Sequence, residues 1–299
     1  MNFHNDDSSV IIREDLLAAS HGGQQTCNFI ECWRIRANVP TPFLTAIFKK
    51  GNAVTRGVPH PSPPDNIQRS QDPTGTPEIG ALMKVISLNV GLPRLTMYKG
   101  ETINTGIFKQ PVEDTVALRK LNLDGDRQAD LAVHGGPFKA VYGYPSEHYE
   151  FWRKELPGTQ LPWGMFGENF TTEGLFEQHL HIGDRLQIGT AQIVVRQPRL
   201  PCYKLAAKFH RSDIVPRFLR SGRSGFYFSV EQEGTVAASN EFTFLSRDPQ
   251  GITIAEMNRL YAEDKYNREL LDKAMATAAL PEDWRDYFAK RINGSPVAQ

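Results

Sequence analysis

The 299-residue chain is long enough for one large domain or two smaller ones, each with its own hydrophobic core. Its 34 basic and 34 acidic residues balance, which removes the electrostatic argument for nucleic acid or an anionic membrane as the main partner. Three cysteines make no disulfide framework, and no stretch reaches the roughly 18 apolar residues of a membrane span. Because the start is acidic and polar, unlike a leader peptide, we expect a cytoplasmic protein.

The segment 1–82 differs in texture from the rest of the chain. Prolines recur through its second half, and it holds too few apolar residues to offset the entropy lost on ordering. We expect a largely disordered, Pro-rich extension. Cys27 and Cys32 have no second ligand pair nearby, so their spacing is only a weak indication of a metal site.

The segment 83–248 is predicted to form a domain that consists mainly of β-strands. Short runs of β-type residues, separated by Gly, Asp and Pro, are typical of a barrel or a sandwich. Two helices are predicted within this domain, over 145–156 with Pro145 in its first turn and over 213–219. Strands are predicted over 84–90, 101–108, 116–123, 184–196, 226–233 and 240–246.

The segment 252–293 reads as three short helices. Thr253 and Glu256 have the spacing of a capping box, which predicts the start of the first helix. Trp284, Tyr287 and Phe288 share one side of the last helix, and this aromatic face can serve either a core or a homodimer. We expect the three helices to pack on the barrel as a structural cap.

The sequence QPRLPCYK at 197–204 places the one cysteine of the compact region at the end of a β-type run. Arg199 and Lys204 flank Cys202, and nearby cations favour a thiolate over a thiol. Cys202 is therefore a candidate nucleophile or a candidate ligand of a soft metal. The alternative is a buried thiol without function, which is common for cysteine.

Two glycine-containing loops are further candidates. His134 directly precedes Gly135 and Gly136, where a tight turn can present an imidazole to an oxyanion or a phosphate; the alternative is a polar turn with a satisfied histidine. The loop 166–175 contains Glu168 and Asn169, which can hold a heterocycle by its edge or simply form a surface loop. The aspartates before His134 do not complete a calcium loop.

Other catalytic patterns are weak or absent. There is no P-loop, no Gly-x-Gly-x-x-Gly nucleotide fingerprint and no Gly-x-Ser-x-Gly elbow in a strand-to-helix setting. A cysteine hydrolase that uses His134 or His148 as its base remains open.

The motifs, taken together and in their order, resemble those of the MOSC-domain family, in its YiiM-like branch. The resemblance runs from 84 to 292, some two thirds of the chain, and its last part resembles the three-helix domain of that branch. It rests on TGIFKQP at 105–111, GDRQAD at 125–130, VHGGP at 133–137, YPSEHY at 144–149, FGEN at 166–169 and QPRLPCYKL at 197–205.

The resemblance implies a MOSC-like β-barrel that binds the molybdenum cofactor. The family's metal-binding cysteine falls on Cys202, which would be both the metal ligand and a catalytic residue. Arg199 and Lys204 would pair with the cofactor's phosphate or with the anionic metal centre, and Lys109 would be a further phosphate contact. His134 would donate protons, Gly135 and Gly136 would border the site, and Glu168 and Asn169 would hold the pterin edge or the substrate.

The implied reaction is the two-electron reduction of N-hydroxylated small molecules, such as hydroxylaminopurines, hydroxylamines or amidoximes. The sequence shows no flavin or iron–sulfur signature, so electrons would come from a separate reductase. Two alternatives remain open: a carrier of the cofactor or of sulfur without turnover, and a metal-free cysteine hydrolase.

Overall fold

The computed structural model of the protein describes residues 82–130, 134–248 and 250–294. The predictions for the Pro-rich extension and for Cys27 and Cys32 lie outside these residues. Within them, no helix has the length and apolar character needed to cross a bilayer.

The strands form one large sheet and two small ones. Eight strands lie side by side in the large sheet, in the order β12-β8-β9-β10-β6-β7-β1-β4, while β2 pairs with β3 and β5 with β11. The strands are β1 Lys84–Val90, β2 Arg94–Tyr98, β3 Glu101–Thr105, β4 Gln110–Val112, β5 Val116–Leu118, β6 Val141–Pro145, β7 Phe170–Glu173, β8 Arg185–Ile188, β9 Ala191–Pro198, β10 Phe226–Gln232, β11 Gly234–Val236 and β12 Phe242–Ser246.

The large sheet closes on itself. The Val85 N–H donates to the Asn240 carbonyl at 2.9 Å, and the Ser239 N–H donates to the Val85 carbonyl at 2.7 Å. These bonds join β1 to the segment that leads into β12, so the predicted barrel is confirmed. Its interior is filled by inward-facing apolar residues of the strands, among them Leu88 and Phe228.

Within the described residues, six α-helices and one 3-10 helix accompany the barrel. The first helix begins two residues later than predicted, because Pro145 ends β6 and Ser146 is the N-cap. The capping box of Thr253 and Glu256 is present. The helices are α1 Glu147–Glu155, α2 Tyr203–Phe209, α3 Ile214–Ser221, α4 Ile254–Ala262, α5 Arg268–Ala276 and α6 Glu282–Ile292, with the 3-10 helix at Pro137–Lys139.

The three C-terminal helices share a continuous core with the barrel. Trp284, Tyr287 and Phe288 are at most 3 % exposed and pack in the same cluster as the barrel residues. The aromatic face of α6 therefore serves the core of one chain, and it offers no free surface to a second copy.

Candidate functional site

Cys202 lies where the barrel passes the chain on to a helix. Strand β9 ends at Pro198, the next three residues cross the rim, and Cys202 is the N-cap of α2 with an extended backbone. The thiol is free and the residue is 7 % exposed. Proline on both sides of Arg199-Leu200 restricts this crossing, which fixes the direction of the thiol.

His134 is the partner of the thiol. Its Nε2 lies 3.3 Å from the Cys202 Sγ, and its Nδ1 lies 3.5 Å from the Lys204 Nζ. An ammonium group can only donate, so in neutral His134 the Nδ1 accepts and the Nε2 carries the hydrogen that points at sulfur. The geometry therefore suits a thiolate at Cys202.

The electrostatics also favour the thiolate, here with His134 as an imidazolium that likewise donates from Nε2. Burial acts to raise the pKa of Cys202, but the charge and hydrogen bond of His134, the charge of Arg199 and the backbone N–H of Lys204 together lower that pKa to about 6. The thiolate is therefore the main form at neutral pH. The predicted effect of Arg199 is present, whereas Lys204 acts here through its backbone.

The Cys202 thiol lines a cavity that is partly open to solvent, with an interior volume of about 80 Å³ and about 700 Å³ of space when the open part is counted. Of the described residues, none that lines it carries a carboxylate, and the lining therefore favours an anionic ligand. Five cationic side chains line it: Lys109, Arg127, Lys139, Arg199 and Lys204.

Arg199, a lining residue, has a hydrogen-bond donor without a partner. The residue is 6 % exposed, and its guanidinium lies 5.2 Å from the ring centroid of Tyr142 and 5.3 Å from that of Phe218. Its Nη1 is buried without a hydrogen-bond partner. Because a buried donor without a partner is costly, this atom is suited to receive an acceptor from a bound anion.

Lys109 also lines the cavity, but its charge is already paired. Its Nζ forms a buried ion pair with Asp126, whose carboxylate also accepts from the Gly91 N–H and from the Asn169 Nδ2, each at 2.9 Å. Burial lowers the pKa of Lys109, and Asp126 opposes this shift. An anion would meet Lys109 as part of a neutral pair.

Asn169 lines the cavity, and Glu168 lies behind it. The Asn169 Oδ1 accepts from the Tyr142 N–H at 3.1 Å. Glu168 is fully buried and accepts from the Gly164 and Phe166 N–H groups, the Thr171 hydroxyl and the Tyr149 hydroxyl. With its oxygens occupied and no place in the lining, Glu168 stabilises the loop rather than facing a ligand.

Gly135 and Gly136 lie outside the lining and shape the turn beside it. Gly136 has φ of +93°, a conformation that favours glycine, and it precedes the 3-10 helix Pro137–Lys139. This helix brings Lys139 to the cavity wall. Burial lowers the pKa of Lys139 to about 8.

Several lining residues were not singled out from the sequence. Gly106 is one of them, and the structure shows why a glycine stands there: a Cβ would lie 2.2 Å from the Arg127 carbonyl oxygen. Lys139 and Tyr142 lie outside the quoted motifs, and Arg127 lies within GDRQAD at 125–130 without a predicted role; only the fold brings the three to the cavity of Cys202. In the described part of the chain no three His, Cys, Asp or Glu side chains come together as a metal site.

Comparison with family models gives two adjacent matches. The model of the MOSC domain matches residues 130–243, and that of the YiiM-like 3-alpha helix domain matches residues 252–294. The second match covers the three C-terminal helices.

Two known proteins and one solved structure are similar to this chain along most of their own length. YflK of Bacillus subtilis (strain 168), described as uncharacterized, is 43 % identical over 207 residues, 69 % of this chain and 93 % of YflK. YiiM of Escherichia coli (strain K12) is 35 % identical over 189 residues, 62 % of this chain and 84 % of YiiM. The crystal structure of YiiM from Geobacillus stearothermophilus superposes with a TM-score of 0.59 at 34 % identity, covering 70 % of this chain and 99 % of that one.

A longer fungal protein is also similar. A protein of Gibberella moniliformis (strain M3125 / FGSC 7600) named Reductase is 28 % identical over 228 residues. These are 75 % of this chain but 40 % of the fungal protein.

Proposed function

Because this chain belongs to the MOSC-domain family and carries the YiiM-like 3-alpha helix domain, we propose that it is a molybdenum-cofactor-dependent oxidoreductase. Its substrates are N-hydroxylated small molecules, and a separate reductase supplies the electrons. The observation that carries the proposal is the Cys202 thiol, with its pKa lowered to about 6, in a cavity lined by five cationic side chains and, among the described residues, by no carboxylate.

The residues present fit an anionic, sulfur-rich metal cofactor. A soft thiolate suits molybdenum, so Cys202 would be its protein ligand. Arg199 and Lys204 would bind oxygen atoms near the metal, and Arg127 with the Lys109–Asp126 pair would hold the phosphate end. When bound, the cofactor supplies two-electron chemistry that accepts an oxygen atom from the substrate.

The protein's own part is binding, orientation and proton supply. His134 holds a proton at Nε2 beside the Cys202 Sγ and is placed to deliver it to the nitrogen of the departing amine. The Tyr142 ring supports the Arg199 guanidinium, which keeps that charge directed at the cavity. We place the protein in the cytoplasm, where reducing conditions keep thiols free.

The test begins with molybdenum content. Full-length protein from a host that makes the cofactor should hold near-stoichiometric molybdenum, and Cys202→Ala should hold little. The loaded protein should then reduce benzamidoxime or a hydroxylaminopurine with dithionite, but not with NADH or NADPH alone. Equal metal content in the two proteins would refute the proposed role of Cys202, and turnover with NADH alone would refute the need for a separate reductase.

Two alternatives give different outcomes in the same experiment. A cofactor or sulfur carrier would hold molybdenum through Cys202 and show no turnover of any N-hydroxylated substrate. A cysteine hydrolase is favoured by the 3.3 Å contact between His134 and Cys202. It would hydrolyse an activated ester equally well when produced in a host without the cofactor.

A further inference from the structure

The three-helix domain reaches the cavity wall through Gln197. The Trp284 Nε1–H donates to the Gln197 Oε1 at 2.8 Å, in a buried contact between α6 and β9. The Gln197 Nε2–H in turn donates to the Phe138 carbonyl at 3.2 Å. Since an indole N–H can only donate, Trp284 fixes which end of the Gln197 amide faces Phe138.

Arg196 forms a second link between the three-helix domain and Phe138. The Arg196 Nη1–H donates to the Ala279 carbonyl, between α5 and α6, at 3.3 Å. The Arg196 guanidinium also lies 5.3 Å from the Phe138 ring centroid. Phe138 itself is 39 % exposed, so burial alone does not hold it. It is held instead at its carbonyl and at its ring.

Phe138 directly precedes Lys139 in the chain, so a hold on Phe138 also restrains the backbone of Lys139. Both belong to the 3-10 helix Pro137–Lys139, and Lys139 is 8 % exposed in the cavity wall. Burial lowers the pKa of Lys139 to about 8, and Asp283, the neighbour of Trp284 on α6, opposes this shift. The three-helix domain thus affects both the backbone that carries Lys139 and its charge.

We infer that Trp284 and Gln197 are positioning residues, through which the three-helix domain holds the Lys139 charge at the cavity that contains Cys202. The domain then belongs to the binding site for an anion and is more than a cap on the barrel. Only the identity of that anion, the molybdenum cofactor, rests on the proposed function.

The test compares two alkylating reagents on Cys202 in full-length protein made without the cofactor. Iodoacetate is an anion and iodoacetamide is neutral, so the ratio of their rates reports the positive charge near the thiol. Peptide mass spectrometry restricts the measurement to Cys202, because Cys27 and Cys32 are also present. At neutral pH, Lys139→Met sets the reference and should lower the ratio by about threefold or more.

Trp284→Phe keeps an aromatic ring and removes the donor, and Gln197→Met keeps the length and removes the amide. Each should lower the ratio nearly as far as Lys139→Met does. Neither should lower it further when combined with Lys139→Met, because the effect passes through that charge. Tyr287→Phe is the matched control: it removes a hydroxyl on the same helix, bonded to Arg291, and should leave the ratio unchanged.

The inference is overturned if both variants keep the wild-type ratio, or if each still lowers it in the Lys139→Met background. A packing role alone would loosen the wall and raise both rates together, which also overturns it. If Trp284→Phe does not fold, Gln197→Met decides the question by itself. The assay needs no molybdenum, so failure of the proposed function would leave its result intact.

Discussion

Glu168 and Arg199 are both buried ionisable groups, one behind the cavity and one in its lining, and they differ in how their hydrogen bonds are used. The Glu168 carboxylate accepts from two backbone N–H groups and two hydroxyls. The Arg199 guanidinium lies on aromatic rings and keeps its Nη1 without a partner. A satisfied buried charge holds the loop that shapes the cavity, whereas an unsatisfied one is available to a ligand.

The largest expected change in the free energy of unfolding comes from replacing Glu168, whose hydrogen bonds are satisfied. Glu168→Leu should lower the free energy of unfolding by about 3–5 kcal/mol, because four buried donors lose their acceptor. Arg199→Met, its matched counterpart, should change that free energy by less than about 1 kcal/mol in the cofactor-free protein. Urea unfolding of the three proteins gives both values. Equal losses from the two substitutions would end the distinction.

The next effect concerns the backbone approach beside the cavity. In Gly106→Ala the added Cβ would lie 2.2 Å from the Arg127 carbonyl oxygen, so the two loops must separate. We expect a loss of about 1–3 kcal/mol and faster alkylation of Cys202. Gly100→Ala is the control, because its φ is +83° but no atom lies within 4 Å of its Cβ. Because the positive φ of Gly100 itself strains an alanine, the deciding measurement is the alkylation rate: a Gly106 variant whose Cys202 reacts no faster than in the Gly100 variant would contradict the prediction.

A smaller effect concerns the pH dependence of the thiol. Since the pKa of Cys202 is lowered to about 6, its alkylation by iodoacetamide should rise through pH 6 and level off near neutrality. His134→Gln removes the charge and hydrogen bond that lower the pKa, so the curve should move to higher pH. For each pH unit by which the curve moves, the alkylation rate at a fixed pH below the pKa falls by about tenfold.

The control for this pH profile is His181→Gln, which removes an imidazole whose Nδ1 lies near the Asp248 carbonyl. It should leave the curve in place. An unmoved curve in His134→Gln would show that another group sets the pKa of Cys202.

The smallest effect is expected at Lys204. Its backbone N–H, rather than its ammonium group, contributes to lowering the pKa of Cys202. Lys204→Met keeps that N–H and should leave the midpoint of the alkylation curve near pH 6, with rates within about twofold of wild type. A curve shifted as far as that of His134→Gln would make the side chain the dominant influence.

Local pattern was enough to predict the elements that carry their own signals. Strand β1 begins and ends where the alternation predicts, and Thr253 with Glu256 marks the start of α4 as the capping box predicts. Helix α2 was missed, because its seven residues follow directly on a proline-rich rim. Strand β6 was missed because Gly143 and Pro145 weaken its β signal, which pairing with β10 and β7 overrides.

The candidate site could be predicted only in part, because contacts between distant segments decide which motif residues face the cavity. Cys202 and His134 stand in recognisable motifs, and the fold brings them within 3.3 Å of each other. Glu168 stands in an equally distinctive motif but lies behind the cavity wall. Its residue type and its neighbours in sequence are those of a ligand-binding carboxylate. Only the donors that converge on it from other segments, such as the Tyr149 hydroxyl, show that its oxygens are already used.

The closure of the barrel between Val85 and Asn240 has a consequence for the order of assembly. During synthesis β1 is the first of the strands to leave the ribosome. Its closing partner, Asn240, follows only after every residue that lines the cavity has been made. Such long-range pairing forms late and slowly. The barrel is therefore closed only in the last steps of folding, and a chain that stops before Asn240 carries every lining residue of the Cys202 cavity without the closed barrel that supports them.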